Sequence, residues 1–366
     1  MHESKSAFEK KKKKKNAIIG VLVFACTIKE ILFLHACCVS LLRYRGNHHF
    51  LANLRFGINI PQFVPSSDRS VLTRLSKFAE AAESLGYDCL WTLDGIFHGV
   101  LFLEPLTCLG YLSSVTRKIK LGTAVLLLPL RVPAIVANET AAIDFLSGGR
   151  LVLGVAMGGQ KKEYAACGVP MSERVPRFVE GIQILKMLWS QDRVTFRGRF
   201  WNFDNVGIAL KPANPQGIPL LMGGSMVGDE VNERALTRAA EMSDGWLGAG
   251  STTLEASKRS FSRFIEYARE KGRDPERLDV VKRVYVHVDS DEKRARSILE
   301  ESLYGFYGAR IDVDSVCVFG SPERCAAELT DLARSGAKNF LLNPVAHHFE
   351  QTQALAEKVI PKVSLS

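Results

Sequence analysis

The feature that most constrains this chain is an alternation, from residue 54 onward, of short apolar runs with segments whose apolar residues repeat at helical spacing. Each short run is apolar almost throughout, which is typical of parallel strands covered by helices. The predicted strands are residues 54–60, 89–93, 119–125, 151–156, 218–222, 245–249, 280–288 and 339–342.

Helical segments separate these strands. Gly86 follows the first helical segment, and glycine is favoured just after a helix ends. Pro133 begins a later segment, and proline is favoured in the first turn of a helix. The predicted helices are residues 71–85, 104–114, 133–146, 173–190, 229–241, 254–271, 291–307, 323–335 and 350–359.

Eight strands interleaved with helices predict an α/β protein with a (β/α)8 TIM barrel. A doubly wound open sheet would have fewer strands and a glycine-rich phosphate loop after the first one. Residues 61–65 read PQFVP, which is no such loop. Residues 191–217 interrupt the alternation after the fourth helix, and residues 194–203 predict an inserted hairpin there.

The first 52 residues stand outside this pattern, so we divide the chain into an extension, residues 1–52, and a barrel domain, residues 53–366. A run of lysines, residues 10–15, precedes two apolar stretches that Lys29 and Glu30 separate. In one spanning helix each of these two charges would cost about 2.5–3.5 kcal/mol near the membrane centre. Two interpretations stay open: a disordered or weakly helical extension, and a membrane-associated anchor in contact through residues 10–42.

The distribution of charge and the spacing of the cysteines argue against some classes of function. Residues 1–50 hold +7 of the formal net charge of +9, so the rest of the chain carries only +2. This distribution argues against a nucleic-acid-binding surface on the fold. The eight cysteines lack the spacing of a disulfide framework or a zinc site. We therefore predict no metal site and a reduced, cytoplasmic setting, with membrane association through the extension as the alternative.

In a TIM barrel the active site lies at the carboxyl ends of the strands, which singles out the residues there. These are Asn59, Gln62, Asp94, Ala124, Val125, Met157, Gly158, Gly159, Gly223, Gly224, Ser225, Trp246, Gly248, His287 and Asn343.

Four of these positions and one nearby histidine suggest chemistry. Gly223, Gly224 and Ser225 precede a helix, where backbone N–H groups and a hydroxyl suit a phosphate, although the glycines alone also suit a tight turn. Asp94 is a candidate catalytic acid, base or acceptor, or else a cap of the next segment. His98 is a candidate catalytic residue of the adjoining loop, or else a surface histidine. A mouth with few charges suits a bound cofactor.

Several segments together resemble the luciferase-like monooxygenase family, over about residues 54–360. They are LGTAV at 121–125, PLRVP at 129–133, DFLSGGRLVLGV at 144–155, EYAACGV at 163–169, FRGRF at 196–200, PLLMGGS at 219–225, SDGW at 243–246, GRDP at 272–275 and FGSP at 319–322.

The resemblance implies a TIM-barrel enzyme that holds reduced flavin mononucleotide (FMN) or the deazaflavin coenzyme F(420) at the barrel mouth. Ala124 and Val125 resemble the bulge with an unusual peptide bond behind the cofactor ring. Met157 and Gly158 resemble the floor of the cofactor site, and the turn at residues 223–225 resembles its phosphate-binding turn. Pairing of barrels in relatives implies a homodimer.

The sequence departs from the family after the second strand. Many deazaflavin members have an Asp-His pair there and the luciferases a Glu-His-His run, whereas this chain has Asp94 and Gly95. Lys162 stands where some deazaflavin members keep an asparagine. The catalytic acid or base is therefore left open by the resemblance.

The function that we expect from the sequence is a monooxygenase that uses reduced FMN and dioxygen on a small organic substrate, served by a flavin reductase. The alternative is an F(420)-dependent dehydrogenase or reductase that transfers hydride. A second alternative is a flavin-binding protein without turnover.

Overall fold

The computed structural model describes residues 54–63, 70–97, 103–224 and 230–365. The predicted extension, residues 1–52, lies outside them. Within the described residues, no helix is both long and apolar enough to cross a membrane. The strands of the described residues are β1 (Arg55–Asn59), β2 (Cys89–Thr92), β3 (Lys120–Leu127), β4 (Leu151–Ala156), β5 (Val194–Arg197), β6 (Asn202–Val206), β7 (Leu220–Gly224), β8 (Gly245–Gly248), β9 (Asp279–Val288), β10 (Val318–Gly320) and β11 (Asn339–Pro344).

Eight of these strands close into a parallel barrel. Their order is β1, β2, β3, β4, β7, β8, β9 and β11, and the ring closes because β11 pairs with β1. Every neighbouring pair in the ring is parallel. The predicted TIM barrel is therefore confirmed, and its strands are the eight that the apolar runs predict.

Helices surround the barrel. They are α1 (Val71–Ser84), α2 (Pro105–Val115), α3 (Pro133–Ser147), α4 (Lys161–Ala166), α5 (Arg174–Ser190), α6 (Glu233–Met242), α7 (Leu254–Glu270), α8 (Glu292–Tyr307), α9 (Val313–Val316), α10 (Pro322–Arg334) and α11 (His348–Ala354). Sequence periodicity missed α4, α9 and β10 because each is too short to show a repeat. The predicted last helix is divided, since a π-helical turn over Leu355–Val359 follows α11.

The predicted hairpin is present after the helix that ends at Ser190. Strands β5 and β6 pair antiparallel, and the rings of Phe196 and Phe203 stack across them with centroids 5.7 Å apart. The two strands form a sheet of their own, so the insertion adds nothing to the barrel wall.

Trp91 fills the centre of the barrel. It lies on β2, is almost fully buried and belongs to a compact interior cluster. A Cβ atom on Gly57 of β1 or on Gly122 of β3 would overlap its indole ring. The two glycines therefore leave the space that the indole occupies, which is a reason for glycine inside a strand.

We expect Trp91→Ala to lower the free energy of unfolding by about 3–5 kcal/mol, because the neighbouring glycines cannot fill the cavity. Leu72→Ala, at a half-exposed position of α1, is the matched control and should change stability by less than about 0.5 kcal/mol. Urea denaturation of the full chain measures both values. Equal losses in the two variants would contradict the role of Trp91.

Candidate active site

The inner face of each strand continues into the barrel mouth. Val281 of β9 and Leu341 of β11 belong to the interior cluster around Trp91. Because alternate residues of a strand share a face, Arg283 and Asn343 point the same way, two residues closer to the carboxyl ends. Arg283 and Asn343 therefore point into the mouth, because Val281 and Leu341 on the same strand faces point into the barrel interior.

One wall of the mouth consists of small residues on β3, β4 and β7. The peptide bond between Ala124 and Val125 is cis, and the β3–β4 register shifts at this place. A Cβ on Gly223 would lie 2.9 Å from the Cβ of Ala156 and 3.1 Å from Cγ1 of Val125. The surface of this wall therefore consists largely of backbone and small side chains. Sequence reasoning had not singled out Ala156, although it ends a predicted strand.

Close contacts also restrict the residues at the ends of β4 and β7. Gly158 has a φ of +67°, and a Cβ there would lie 3.0 Å from Leu127. The carbonyl of Met157 accepts a hydrogen bond from the hydroxyl of Tyr164. A Cβ on Gly224 would lie 2.7 Å from Nε1 of Trp246. Ser225, the third residue of the predicted phosphate turn, lies outside the described residues.

Asp94 ties the loop after β2 to the end of β3. Its Oδ2 accepts from the backbone N–H of Leu127 at 2.8 Å and from Arg131 at 3.0 Å. Its side chain is only 3% exposed. Burial raises the pKa of Asp94, and Arg131 opposes that rise. These contacts favour a positioning role, and a catalytic role for Asp94 stays a prediction.

Two buried side chains hold the neighbouring loops. Gln62 accepts from the N–H of Leu93 at 2.7 Å and donates to the carbonyls of Leu93 and Leu103. Glu163, on α4, accepts from the N–H of Ile96 at 2.8 Å. Sequence reasoning assigned no role to Glu163, because its partner lies 67 positions away in the chain.

The opposite wall of the mouth is polar. Asn59, on β1, is 2% exposed, and its Nδ2 donates to the Ile60 carbonyl at 2.8 Å. Its Oδ1 and Nε of Arg283 are buried without a hydrogen-bond partner. Nη2 of Arg283 lies 3.4 Å from Oδ1 of Asn343. Sequence reasoning had placed Asn59 and Asn343 at strand ends but missed Arg283, inside the longest apolar run.

Aromatic rings lie near this polar wall. Phe63, after β1, meets Phe306 of α8 edge to face, with ring centroids 6.1 Å apart. Tyr285 and Tyr307 are joined through their hydroxyl groups. The guanidinium of Arg283 lies 5.0 Å from the Tyr285 ring. Helix α8 therefore connects the β9 side of the barrel with the segment after β1.

The histidines near these strand ends differ in their surroundings. His98, a predicted catalytic candidate, lies outside the described residues. His287 is buried, and burial lowers its pKa. Its ring centroid is 6.1 Å from that of His347. Across the described residues, no group of three or more His, Cys, Asp and Glu side chains is arranged to hold a metal ion.

Lys282 points away from the mouth. Its Nζ donates to the carbonyls of Ala249 at 2.7 Å and Thr252 at 3.2 Å, which fixes the segment between β8 and α7. Burial, and then the neighbouring positive charge of Arg283, lowers the pKa of Lys282 to about 7.

This shift predicts a pH dependence of stability. An unfolded chain keeps the lysine proton up to about pH 10.4, whereas the folded chain releases it near pH 7. The unfolded state therefore binds more protons between these values, and the contribution of Lys282 to the free energy of unfolding rises with pH across that window. Below about pH 7 the contribution is at its least favourable.

We expect Lys282→Met to remove this slope. The difference in unfolding free energy between wild type and variant should grow in favour of wild type from pH 7 to pH 10, measured by urea denaturation. Lys293→Met, at an exposed position, is the control and should give a flat difference. A flat difference for Lys282→Met as well would contradict the burial of its amine.

The architecture defines the class of protein as a TIM barrel whose mouth has one small-residue wall and one polar wall. The family model for luciferase-like monooxygenases matches residues 54–314, more than half of the chain. The chain belongs to this family.

Relatives and solved structures give further likenesses. An F(420)-dependent glucose-6-phosphate dehydrogenase of Nakamurella multipartita is 28% identical over 252 residues, covering 66% of this chain and 70% of that protein. The structure of an F(420)-dependent secondary alcohol dehydrogenase, in complex with an F(420)-acetone adduct, superposes with a TM-score of 0.73 at 21% identity, covering 85% of this chain and 99% of that one. A monooxygenase of Streptomyces bottropensis superposes with a TM-score of 0.72 at 21% identity, covering 84% and 99%.

At such identities the structural likenesses show the fold alone. The chain spans just under two thirds, 66%, of the length of relatives from Mycobacterium bovis and Mycobacterium tuberculosis, which are 30% identical over 200 residues.

Proposed function

We propose that this protein is an oxidoreductase that uses the deazaflavin coenzyme F(420) and transfers hydride between it and a small organic substrate with a hydroxyl or carbonyl group. The observation that carries the binding of a flavin-type ring is the small-residue wall of the mouth. Relatives named as F(420)-dependent, at 28–32% identity, favour the deazaflavin over FMN. Our first expectation from the sequence, an FMN monooxygenase, becomes the second candidate.

The chain's own residues fit such a cofactor. Val125, Ala156 and Gly223 offer backbone and small side chains, so a ring system approaches closely. A bound deazaflavin supplies the hydride donor or acceptor, and the protein supplies position and a dry pocket. Asp94 and Arg131 hold the loop after β2 against the end of β3, which keeps this wall in place.

An FMN-dependent monooxygenase, the second candidate function, would bind its cofactor on the same small-residue wall. The structural likenesses to the Streptomyces bottropensis monooxygenase and to a type II Baeyer-Villiger monooxygenase in complex with FMN favour it. Their identities of 21% and 18% are lower than those of the F(420)-dependent relatives, so this candidate ranks second.

We expect the full chain to bind reduced F(420) at least tenfold more tightly than reduced FMN, in anaerobic titrations followed by absorbance. Ala156→Phe places a ring on the small-residue wall and should weaken F(420) binding at least tenfold. Ala309→Phe, at an exposed position after α8, is the matched control and should bind like wild type.

Two outcomes would contradict the deazaflavin proposal. Tighter binding of FMN, followed by a hydroperoxide spectrum after oxygen is admitted, would favour the monooxygenase. Binding of either cofactor without reaction with oxygen, reductant or any alcohol would favour the flavin-binding protein without turnover.

We further propose a homodimer formed through α3. Ile135, Phe145 and Leu146 of this helix are 57%, 59% and 68% exposed, which is unusual for large apolar side chains so close together in the chain. A second copy of the barrel would remove them from water.

We expect light scattering to give twice the chain mass for wild type and the mass of a single chain for Phe145→Glu, because a buried unpaired carboxylate is costly. Leu365→Glu, at an exposed apolar position near the C-terminus, should leave the mass unchanged. A monomeric wild type at all concentrations would overturn the proposal.

A further inference from the structure

The polar wall of the mouth has hydrogen-bonding capacity that the described protein atoms do not use. Nε of Arg283 and Oδ1 of Asn59 are buried and have no partner. An unpaired buried polar group destabilises the fold unless a partner is supplied. Both groups come from strands whose inner faces lead into the mouth, so a ligand that displaces the side chains around them can satisfy them.

These groups lie within reach of one small molecule. Strands β9 and β1 flank β11, and neighbouring strands are about 4.8 Å apart, so β9 and β1 are separated by roughly 10 Å. The guanidinium of Arg283 reaches toward β11, where Nη2 lies 3.4 Å from Oδ1 of Asn343. Asn59 lies on β1, the strand on the other side of β11.

The two groups require different partners. A guanidinium presents N–H donors in a plane that matches a carboxylate, and Arg283 has no carboxylate partner among the described residues. Oδ1 of Asn59 accepts and needs an N–H or O–H donor, because Nδ2 of the same amide is engaged with the Ile60 carbonyl. A carboxylate beside a hydroxyl satisfies both.

The surroundings add an apolar requirement. The Phe63–Phe306 contact lies after β1 and on α8, and Tyr285 packs beside Arg283. Below the polar groups the indole of Trp91 fills the barrel, since it lies against Gly57, two residues before Asn59 on β1. A ligand whose polar end meets the wall would direct its body toward the Phe63–Phe306 pair, because Tyr285 itself is fully buried.

We propose that Arg283, Asn343 and Asn59 form the substrate-recognition site for a small hydroxy acid with an apolar body, Arg283 taking the carboxylate and Asn59 the hydroxyl hydrogen. The inference rests on the proposed function, which it deepens by naming the substrate class. Asn343 orients the guanidinium.

Binding without cofactor tests the assignment. The probes are mandelate, which has both groups, phenylacetate, which lacks the hydroxyl, mandelamide, which lacks the charge, and inorganic phosphate. Calorimetric titration of the full chain should rank mandelate above phenylacetate, with mandelamide and phosphate at least tenfold weaker than mandelate.

Variants separate the two contacts. Arg283→Gln should weaken mandelate and phenylacetate at least tenfold, Arg283→Lys should restore part of the loss, and Asn59→Leu should remove the preference for mandelate over phenylacetate. Arg277→Gln, at a position 89% exposed, is the matched control and should bind all probes like wild type. Thermal unfolding of each variant checks that it is folded.

Three results would overturn the proposal: no carboxylate binding by wild type, equal binding by wild type and Arg283→Gln, or phosphate binding that exceeds phenylacetate binding and depends on Arg283. The last would make the ligand a phosphate ester. Failure of the proposed function is distinguishable, because titration with F(420) and FMN reports cofactor binding separately. A chain that binds the carboxylates but binds neither F(420) nor FMN in its own titrations would reject the proposed function and leave this site standing.

Discussion

The packing of one indole ring inside the barrel is the constraint on which the rest of the structure depends. Trp91 occupies the space that Gly57 and Gly122 leave open, so three adjacent strands approach around a single side chain. Its Nε1 is buried without a hydrogen-bond partner, a cost that the packing of the large ring offsets. The indole also fills the barrel interior between β1 and β3, below the carboxyl ends of the strands.

In the proposed function, the mouth above Trp91 divides cofactor binding and substrate recognition between opposite walls. On β3, β4 and β7 the strand ends carry small residues such as Ala156 and Gly223, so the backbone itself forms the surface. On β9, β11 and β1 the inner faces carry Arg283, from the middle of its strand, with Asn343 and Asn59. A barrel permits this division because each strand places its own side chains at the mouth. A flat cofactor and a polar substrate can therefore lie face to face without competing for the same side chains.

Sequence reasoning found the barrel because its strands are buried on both faces and read as continuous apolar runs. The same property concealed Arg283. In β9, residues on both sides of the strand are buried, so alternation is invisible, and the run gave no sign of which residues point inward. Only the assignment of Val281 to the interior cluster fixes the direction. The Asp94–Arg131 pair was equally out of reach, because its members are 37 positions apart and their meeting depends on the course of the chain after β3.

Lys282 and Arg283 are adjacent basic residues, but of the two it is Arg283 that points into the mouth. The two basic residues point to opposite faces of β9 because side chains alternate along a strand. Lys282 lies on the buried outer face, where loss of hydration lowers its pKa to about 7 and the neutral amine still donates to Ala249. A lysine can give up its proton in this way, whereas an arginine keeps its charge in proteins. A lysine in place of Arg283 would therefore risk neutralisation in the partly buried mouth. An arginine there keeps a permanent positive charge, which is what recognition of a carboxylate requires.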